Sequence, residues 1–240
     1  MLSVVLSLPF AASASDKGVV LVTGANRGLG LEFVSQLQGQ GYEVIGTARS
    51  PQKAVDLKAT GARVEQLDVT DQASVDSLAS RLEGVAIDML INNAGMLNRA
   101  DSTLDTLDFE LMERSFQVNS LGPLRVTQAL LPNLKAGQKK TIISITSRLG
   151  SIELSTGGLY SYRASKTALN QINKIISSEL APEGFTCVVM HPGWVRTDMG
   201  GESATLSKAE SISGMLGVIE GLTTESTGKF FNYDGEELPW

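Results

Sequence analysis

The stretch Thr23-Gly24-Ala25-Asn26-Arg27-Gly28-Leu29-Gly30 closes an apolar run, Val19–Thr23, and opens an amphipathic one, Leu29–Gln38. A strand that turns sharply on glycines into a helix lets backbone approach a pyrophosphate. Free N–H groups and the dipole at the helix N-terminus favour an anion there. A glycine cluster alone also serves ordinary turns, so the strand before it and the helix after it carry the reading of a dinucleotide site.

Further along the chain, short runs rich in Val, Ile and Leu recur at Glu43–Thr47, Arg63–Leu67, Met89–Ile91, Thr141–Ile145, Thr186–Met190 and Lys229–Asn232. Continuous apolar runs of this length mark strands covered on both faces. Between them, Asp71–Leu82, Phe109–Leu131 and Ser161–Leu180 have helical patterning. This β-α alternation predicts a single-domain α/β fold, a Rossmann-type doubly wound parallel sheet of about seven strands with helices on both faces, over residues 18–240. The irregular stretches Met96–Leu107, Arg148–Leu159 and Gly193–Ser207 each follow a predicted strand. At the carboxyl end of a parallel sheet such loops line the ligand crevice.

The composition agrees with a folded globular chain. Of 240 residues, 42% are hydrophobic and 19% charged, which excludes a disordered or collagen-like chain. The formal net charge is −6 with no basic block, so nucleic acid is not an expected partner. The lone Cys187 excludes an internal disulfide, and Cys187 with the lone His191 cannot build the usual His/Cys metal sets. Cys187 is expected as a small buried hydrophobe and His191 as a structural residue at a strand end.

Met1–Ser15 is uncharged, apolar in its first part and ends near Ala12-Ser13-Ala14, which has the small-residue form of a cleavage site. It lacks the cationic start of an export signal and is too short to span a bilayer. Residues 1–17 are therefore set apart as an N-terminal arm or a signal-like segment. A cytoplasmic location is expected, with export as the alternative if residues 1–14 are a signal.

The end of the second strand bears on which dinucleotide is bound. A carboxylate there would bond an unmodified ribose 2′-OH, but Gly46-Thr47-Ala48-Arg49 stands in its place. Arg49, with Arg27 inside the glycine turn, suits a 2′-phosphate, so NADP (as NADPH) is the expected cofactor.

Tyr162 and Lys166, four apart in Tyr162-Arg163-Ala164-Ser165-Lys166, share a helix face. A phenol is a useful acid–base group near neutral pH only when a cation favours its phenolate, and Lys166 is placed to supply one. Ser144 and Thr146 compete with Ser147 as the hydroxyl nearby, and Tyr160 competes with Tyr162. Ser144 points to the opposite face of its strand, and Tyr160 stands six residues from Lys166, so Ser147 and Tyr162 are kept.

With TGANRGLG, Asn92-Asn93-Ala94-Gly95, Asn119, Ser147, YRASK and Pro192-Gly193 in this order, residues 18–240 resemble the short-chain dehydrogenase/reductase family. TARS after the second strand, GGLYSYRASKTALN and the tail GKFFNYDGEELPW resemble its C-factor/sniffer-like carbonyl reductase branch. The resemblance implies an NADP-dependent oxidoreductase that transfers a hydride between nicotinamide and a ketone or aldehyde, in either direction. It implies Tyr162 as general acid, Lys166 lowering its pKa and holding the nicotinamide ribose, Ser147 on the substrate oxygen, and Asn119 anchoring the relay that reprotonates Tyr162. On the cofactor it implies Gly24, Asn26, Gly28, Leu29 and Gly30 at the turn, then Asp68 and Val69 at the adenine. Asn92, Ala94 and Gly95 lie beside it, and Pro192, Gly193, Val195 and Thr197 near the nicotinamide. The separation of Ser147 from Tyr162 is longer than the commonest spacing, with the extra residues expected to bulge into Arg148–Leu159. Trp194, Met199 and Gly200-Gly201 suggest an apolar, mobile cover. The expected partner is a small carbonyl or alcohol substrate, with no membrane. A homodimer or homotetramer is implied by the resemblance, with monomers among relatives that carry long tails. The alternative function is a C-factor-type NAD(P)-binding signalling or regulatory protein with little turnover.

Overall fold

In the computed structural model, which describes residues 17–240, all seven apolar runs are strands: β1 (Val19–Val22), β2 (Glu43–Ala48), β3 (Arg63–Gln66), β4 (Met89–Asn92), β5 (Thr141–Ile145), β6 (Thr186–His191) and β7 (Phe230–Asn232). They form one parallel sheet in the order β3-β2-β1-β4-β5-β6-β7. The order reverses between β1 and β4, which is where a doubly wound sheet opens its crevice. The N-terminal arm lies outside the described residues apart from Lys17.

Two-residue alternation divides the core between the faces of the sheet. Val20, Val22, Met89, Ile91, Ile143 and Val188 pack with Phe33 and Leu37 of α1 (Gly28–Gly39). Leu21, Leu90, Ile142 and Cys187 face the other way, against α3 (Gln72–Arg81) and the helices after β4. Phe33, Phe185 and Phe230 are fully buried, each contributing roughly 1.5–3 kcal/mol of burial. Cys187 sits in this apolar layer as expected, and burial pushes its thiol up to about 12.

Two departures from the sequence reading shape the functional face. After α2 (Val55–Ala59) and α3, the segment expected as one helix over Phe109–Leu131 is α4 (Phe109–Phe116), a π turn at Gln117–Leu121, and α5 (Gly122–Ala129), with α6 (Leu131–Ala136) following. Pro123 has no N–H to give the Asn119 carbonyl four residues back, which accounts for the widened turn. α7 (Tyr160–Leu180) runs as expected, but α8 (Lys208–Glu220) was not anticipated. Its apolar period is interrupted by Gly214 and Gly217. The Ser207/Glu210 capping box marks its start, with Glu210 N–H on Ser207 Oγ at 3.1 Å and Ser207 N–H on Glu210 Oε2 at 2.8 Å.

Candidate active site

The glycine turn lies over the crevice and is braced from β4. Thr23 Oγ1 accepts the N–H groups of Asn93 and Ala94, both at 3.0 Å. Asn93 Nδ2 donates back to the carbonyls of Thr23 at 2.9 Å and Gly24 at 3.1 Å. Gly24 and Gly28 have left-handed backbones, at φ 63° and 58°. A Cβ on Gly30 would collide with the Gly24 carbonyl oxygen, whereas one on Gly28 would meet nothing nearer than Thr197 Cγ2 at 4.0 Å. The space above Gly28 is thus a cradle, and α1 starts beneath it with no side-chain cap and no acid in its first turn. These features fit a pyrophosphate. Asn26 and Arg27 are exposed at its rim and Leu29 is half-buried.

At the end of β2, Arg49 is exposed and Asp68 stands across from it. Burial alone would raise the Asp68 carboxyl; the N–H and hydroxyl of Thr70, with the charges of Arg49 and Arg114, outweigh it and hold the group below its ordinary value. Val69 is buried against Gly122. The guanidinium of Arg27, expected to help with a 2′-phosphate, pairs with Asp198 at 2.6 Å, tying the turn to the Gly193–Ser207 loop. Asn92 is buried and donates to Thr127 Oγ1 at 3.2 Å. The asparagine that steadies the glycine turn is its neighbour Asn93, which the sequence reading did not single out.

Ser147, at the end of β5, and Tyr162 and Lys166, in the first turns of α7, are brought together and buried. The Ser147 hydroxyl accepts the Leu149 N–H at 3.1 Å and is near enough to the Tyr162 phenol to favour its ionised form. Lys166 Nζ donates to the Ile145 carbonyl at 2.8 Å and stands 5.9 Å from the Tyr162 ring centre. Burial lowers Lys166 to about 8. It raises the Tyr162 phenol above its ordinary value, against the opposing influence of the Ser147 hydroxyl and the charge of Arg99. The net direction is opposite to the lowering that the resemblance implies, because desolvation of the buried phenolate outweighs those two groups.

Asn119 projects from the π turn. Its Oδ1 accepts the Met96 N–H at 2.8 Å, and its Nδ2 donates to the Met96 carbonyl at 2.9 Å and to Ser165 Oγ at 3.0 Å. Between Asn119 and Lys166 lies Gly95, where a Cβ would stand 3.4 Å from Asn119 Oδ1 and 3.6 Å from Lys166 Nζ. The rival groups are elsewhere: Thr146 donates to Asn170 Oδ1 at 2.6 Å, and Tyr160 is 37% exposed on the outer side of α7.

Both flanking loops carry internal hydrogen bonds. The bulge after Ser147 begins with a tight turn at Arg148–Gly150 and is tied down where Ser151 Oγ and Glu153 N–H donate to the Trp240 carbonyl. In the Gly193–Ser207 segment, Trp194 Nε1 donates to the Gly200 carbonyl at 2.8 Å and Arg196 Nη1 to those of Ala204 and Thr205. Val195 is buried, the Pro192 carbonyl accepts from Ser211 Oγ at 2.6 Å, and Gly193 leaves no room for a Cβ against Leu206 and Tyr233. This segment is cross-linked by its own hydrogen bonds and presents Trp194 and Met199 at its surface. His191 is lowered to about 4 by burial and by the charge of Arg148, against the pull of Asp234, and is therefore neutral near pH 7. Among the described residues no group of His, Cys, Asp and Glu is assembled to hold a metal ion, and no helix is long and apolar enough to cross a membrane.

Two residues missed by sequence reasoning complete the face, Arg99 and Asp101 of the loop after β4. Asp101 is wholly buried and its Oδ2 accepts the Ser161 N–H at 2.7 Å. Arg99 Nη2 donates to the Met199 carbonyl at 3.1 Å. Neither lies in a periodic or motif-like stretch, and their partners are far away in sequence.

The model of the short chain dehydrogenase family matches residues 18–207. The chain is 50% identical over 155 residues to C-signal of Myxococcus xanthus, across 64% of this chain and 93% of that one. The NADPH-bound carbonyl reductase from chicken fatty liver superposes with a TM-score of 0.87 at 37% identity, covering 92% of this chain and 98% of that one. Carbonyl reductase Sniffer of D. melanogaster gives 0.88 at 34% identity, covering 92% and 99%. The chain belongs to the short-chain dehydrogenase/reductase family of oxidoreductases, in the branch that holds C-signal and the sniffer-like carbonyl reductases.

Proposed function

We propose that this protein is an NADPH-dependent carbonyl reductase in which Tyr162 is the proton donor to the carbonyl oxygen. The observation that carries the reading is the burial of Tyr162 beside Ser147, with Lys166 Nζ 5.9 Å from its ring centre, where the carboxyl end of β5 meets the first turn of α7. The nicotinamide, when bound, supplies the hydride. The cradle at Gly24, Gly28 and Gly30 takes the pyrophosphate, Arg49 the 2′-phosphate, and Val195 and Thr197 the nicotinamide end. Binding of NADPH by the carbonyl reductase from chicken fatty liver supports this choice of cofactor.

The phenol of Tyr162, raised by burial, stays protonated through neutral pH and so begins reduction as an acid. Ser147 offers a second donor to the same oxygen as charge builds on it. When the proton has left, Lys166 compensates the phenolate, and the path through Lys166 and Asn119 past Gly95 returns a proton from solvent. Alcohol oxidation is the same sequence reversed, with the phenolate as base.

The test is loss of NADPH absorbance across a panel of aldehydes, ketones and diketones, with Tyr162→Phe as control. Turnover by the wild type that the variant loses while still binding NADPH is the expected outcome. Tight NADPH binding with no turnover of any carbonyl would replace this reading with that of a cofactor-binding signalling protein, in keeping with the likeness to C-signal.

A further inference from the structure

At the mouth of the site stands a cation that no carboxylate among the described residues neutralises. Arg99 is exposed, and the one hydrogen bond of its side chain among the described residues runs from Nη2 to the Met199 carbonyl, 3.1 Å away across the site mouth. The acids next to it on either side are committed elsewhere. Asp101, two residues on, is buried with its carboxylate on the Ser161 N–H, and Asp198, beside Met199, is paired with Arg27. No carboxylate among the described residues lies within ion-pair distance of Arg99.

Its position is fixed rather than free. The Asp101 carbonyl accepts the Tyr160 N–H at 3.3 Å and its carboxylate the Ser161 N–H, so the segment that carries Arg99 is tied to the first turn of α7. The guanidinium is thus held between that turn and the Gly193–Ser207 segment, near enough for its charge to act on the Tyr162 phenol. In a chain of net charge −6, an unpaired arginine held over a reacting carbonyl is a receptor for an anion.

We propose that the compound reduced at this site carries a carboxylate in addition to its carbonyl group, and that Arg99 receives that carboxylate. The proposal rests on the reading of Tyr162 as proton donor, which fixes where the carbonyl oxygen lies. A guanidinium with four N–H bonds still unengaged matches a carboxylate in a paired geometry, and a substrate that covers it excludes water from the contact. Arg148, directly after Ser147, is exposed and has no ion pair among the described residues; it adds to the positive field but is not tied to α7 in this way.

The test compares kcat/KM for 3- and 4-carboxybenzaldehyde with that for their methyl esters, in the wild type, Arg99→Gln, Arg99→Lys and Arg148→Gln. Taking the acid-to-ester ratio within each enzyme cancels any effect of Arg99 on the Tyr162 phenol. The wild type is expected to favour an acid about five- to tenfold, mainly through KM, with the preference shrinking as salt is added. Arg99→Gln should bring the ratio near one, Arg99→Lys should restore part of it, and Arg148→Gln should keep most of it. A wild-type ratio at or below one, or a ratio that survives Arg99→Gln, overturns the proposal. Turnover of the esters that Tyr162→Phe abolishes keeps the reductase reading intact in that case, whereas no turnover of acid or ester overturns both.

Discussion

The buried carboxylate of Asp101 accepts the Ser161 N–H at 2.7 Å, so a residue of the loop after β4 caps the helix that carries Tyr162. The residue at the cap position itself, Leu159, has no side chain able to do this and sits in a left-handed backbone at φ 54°. Removing the acceptor leaves a buried N–H unpaired at the positive end of a 21-residue helix. Asp101→Ala is expected to cost about 1–2 kcal/mol in urea unfolding, and Asp101→Asn, which keeps an acceptor oxygen, clearly less. Equal losses for the two variants would mean that the cap does not set this helix start.

Lys166 makes a stability prediction with an unusual sign. Burial lowers its ammonium from 10.5 to about 8. The folded state gives up its proton first, so between about pH 8 and 10.5 the unfolded state binds more protons and stability rises with pH. A lowering of that size corresponds to roughly 3 kcal/mol when fully expressed. Lys166→Met has no such group, so its stability advantage over the wild type should shrink between pH 7 and 9.5, below the range where the raised Tyr162 phenol titrates. A constant difference across that interval would show that the buried ammonium is not penalised.

The sheet was legible because both of its faces are covered, so each strand is an unbroken apolar run such as Thr141–Ile145 or Thr186–Met190. The glycine turn was legible because its three glycines answer to local geometry. What escaped were residues whose meaning comes from remote contacts. Asn93, quoted within the Asn92–Gly95 motif, takes a role of its own only from its bonds to Thr23 and Gly24, 70 and 69 residues earlier. Arg99 and Asp101 meet Met199 and Ser161 in the same way. The break at Gln117–Leu121 was within reach, since Gly122-Pro123 interrupts a helical pattern, and the Ser207/Glu210 box could have located α8. The direction of the Tyr162 shift was beyond sequence, because it follows from how completely the phenol is buried.

Arg49 tests the choice of dinucleotide. It is exposed at the end of β2, with no hydrogen bond or ion pair of its own among the described residues, and its charge already reaches Asp68. If it holds a 2′-phosphate, Arg49→Ala removes a charge-assisted contact worth about 1.5–3 kcal/mol and raises the dissociation constant for NADPH roughly ten- to a hundredfold. NADH has no such group, so its affinity should change little. Titration of both cofactors into wild type and variant checks this, and matched losses would remove Arg49 from the specificity argument.

Gly95 separates the fold from the proton path. Its backbone is not in the left-handed region, and an added Cβ would meet Asn119 Oδ1 at 3.4 Å and Lys166 Nζ at 3.6 Å, both ordinary contacts. Gly95→Ala should therefore leave unfolding free energy within about 0.5 kcal/mol of the wild type. The same methyl fills the gap between the two groups through which Tyr162 would recover its proton. A displaced water or a shifted ammonium there is expected to lower kcat at saturating NADPH by about tenfold or more. Because the substitution spares stability, the fall in kcat cannot be assigned to a loosened fold. An unchanged kcat would mean that the proton reaches Tyr162 by a route that does not pass between Asn119 and Lys166.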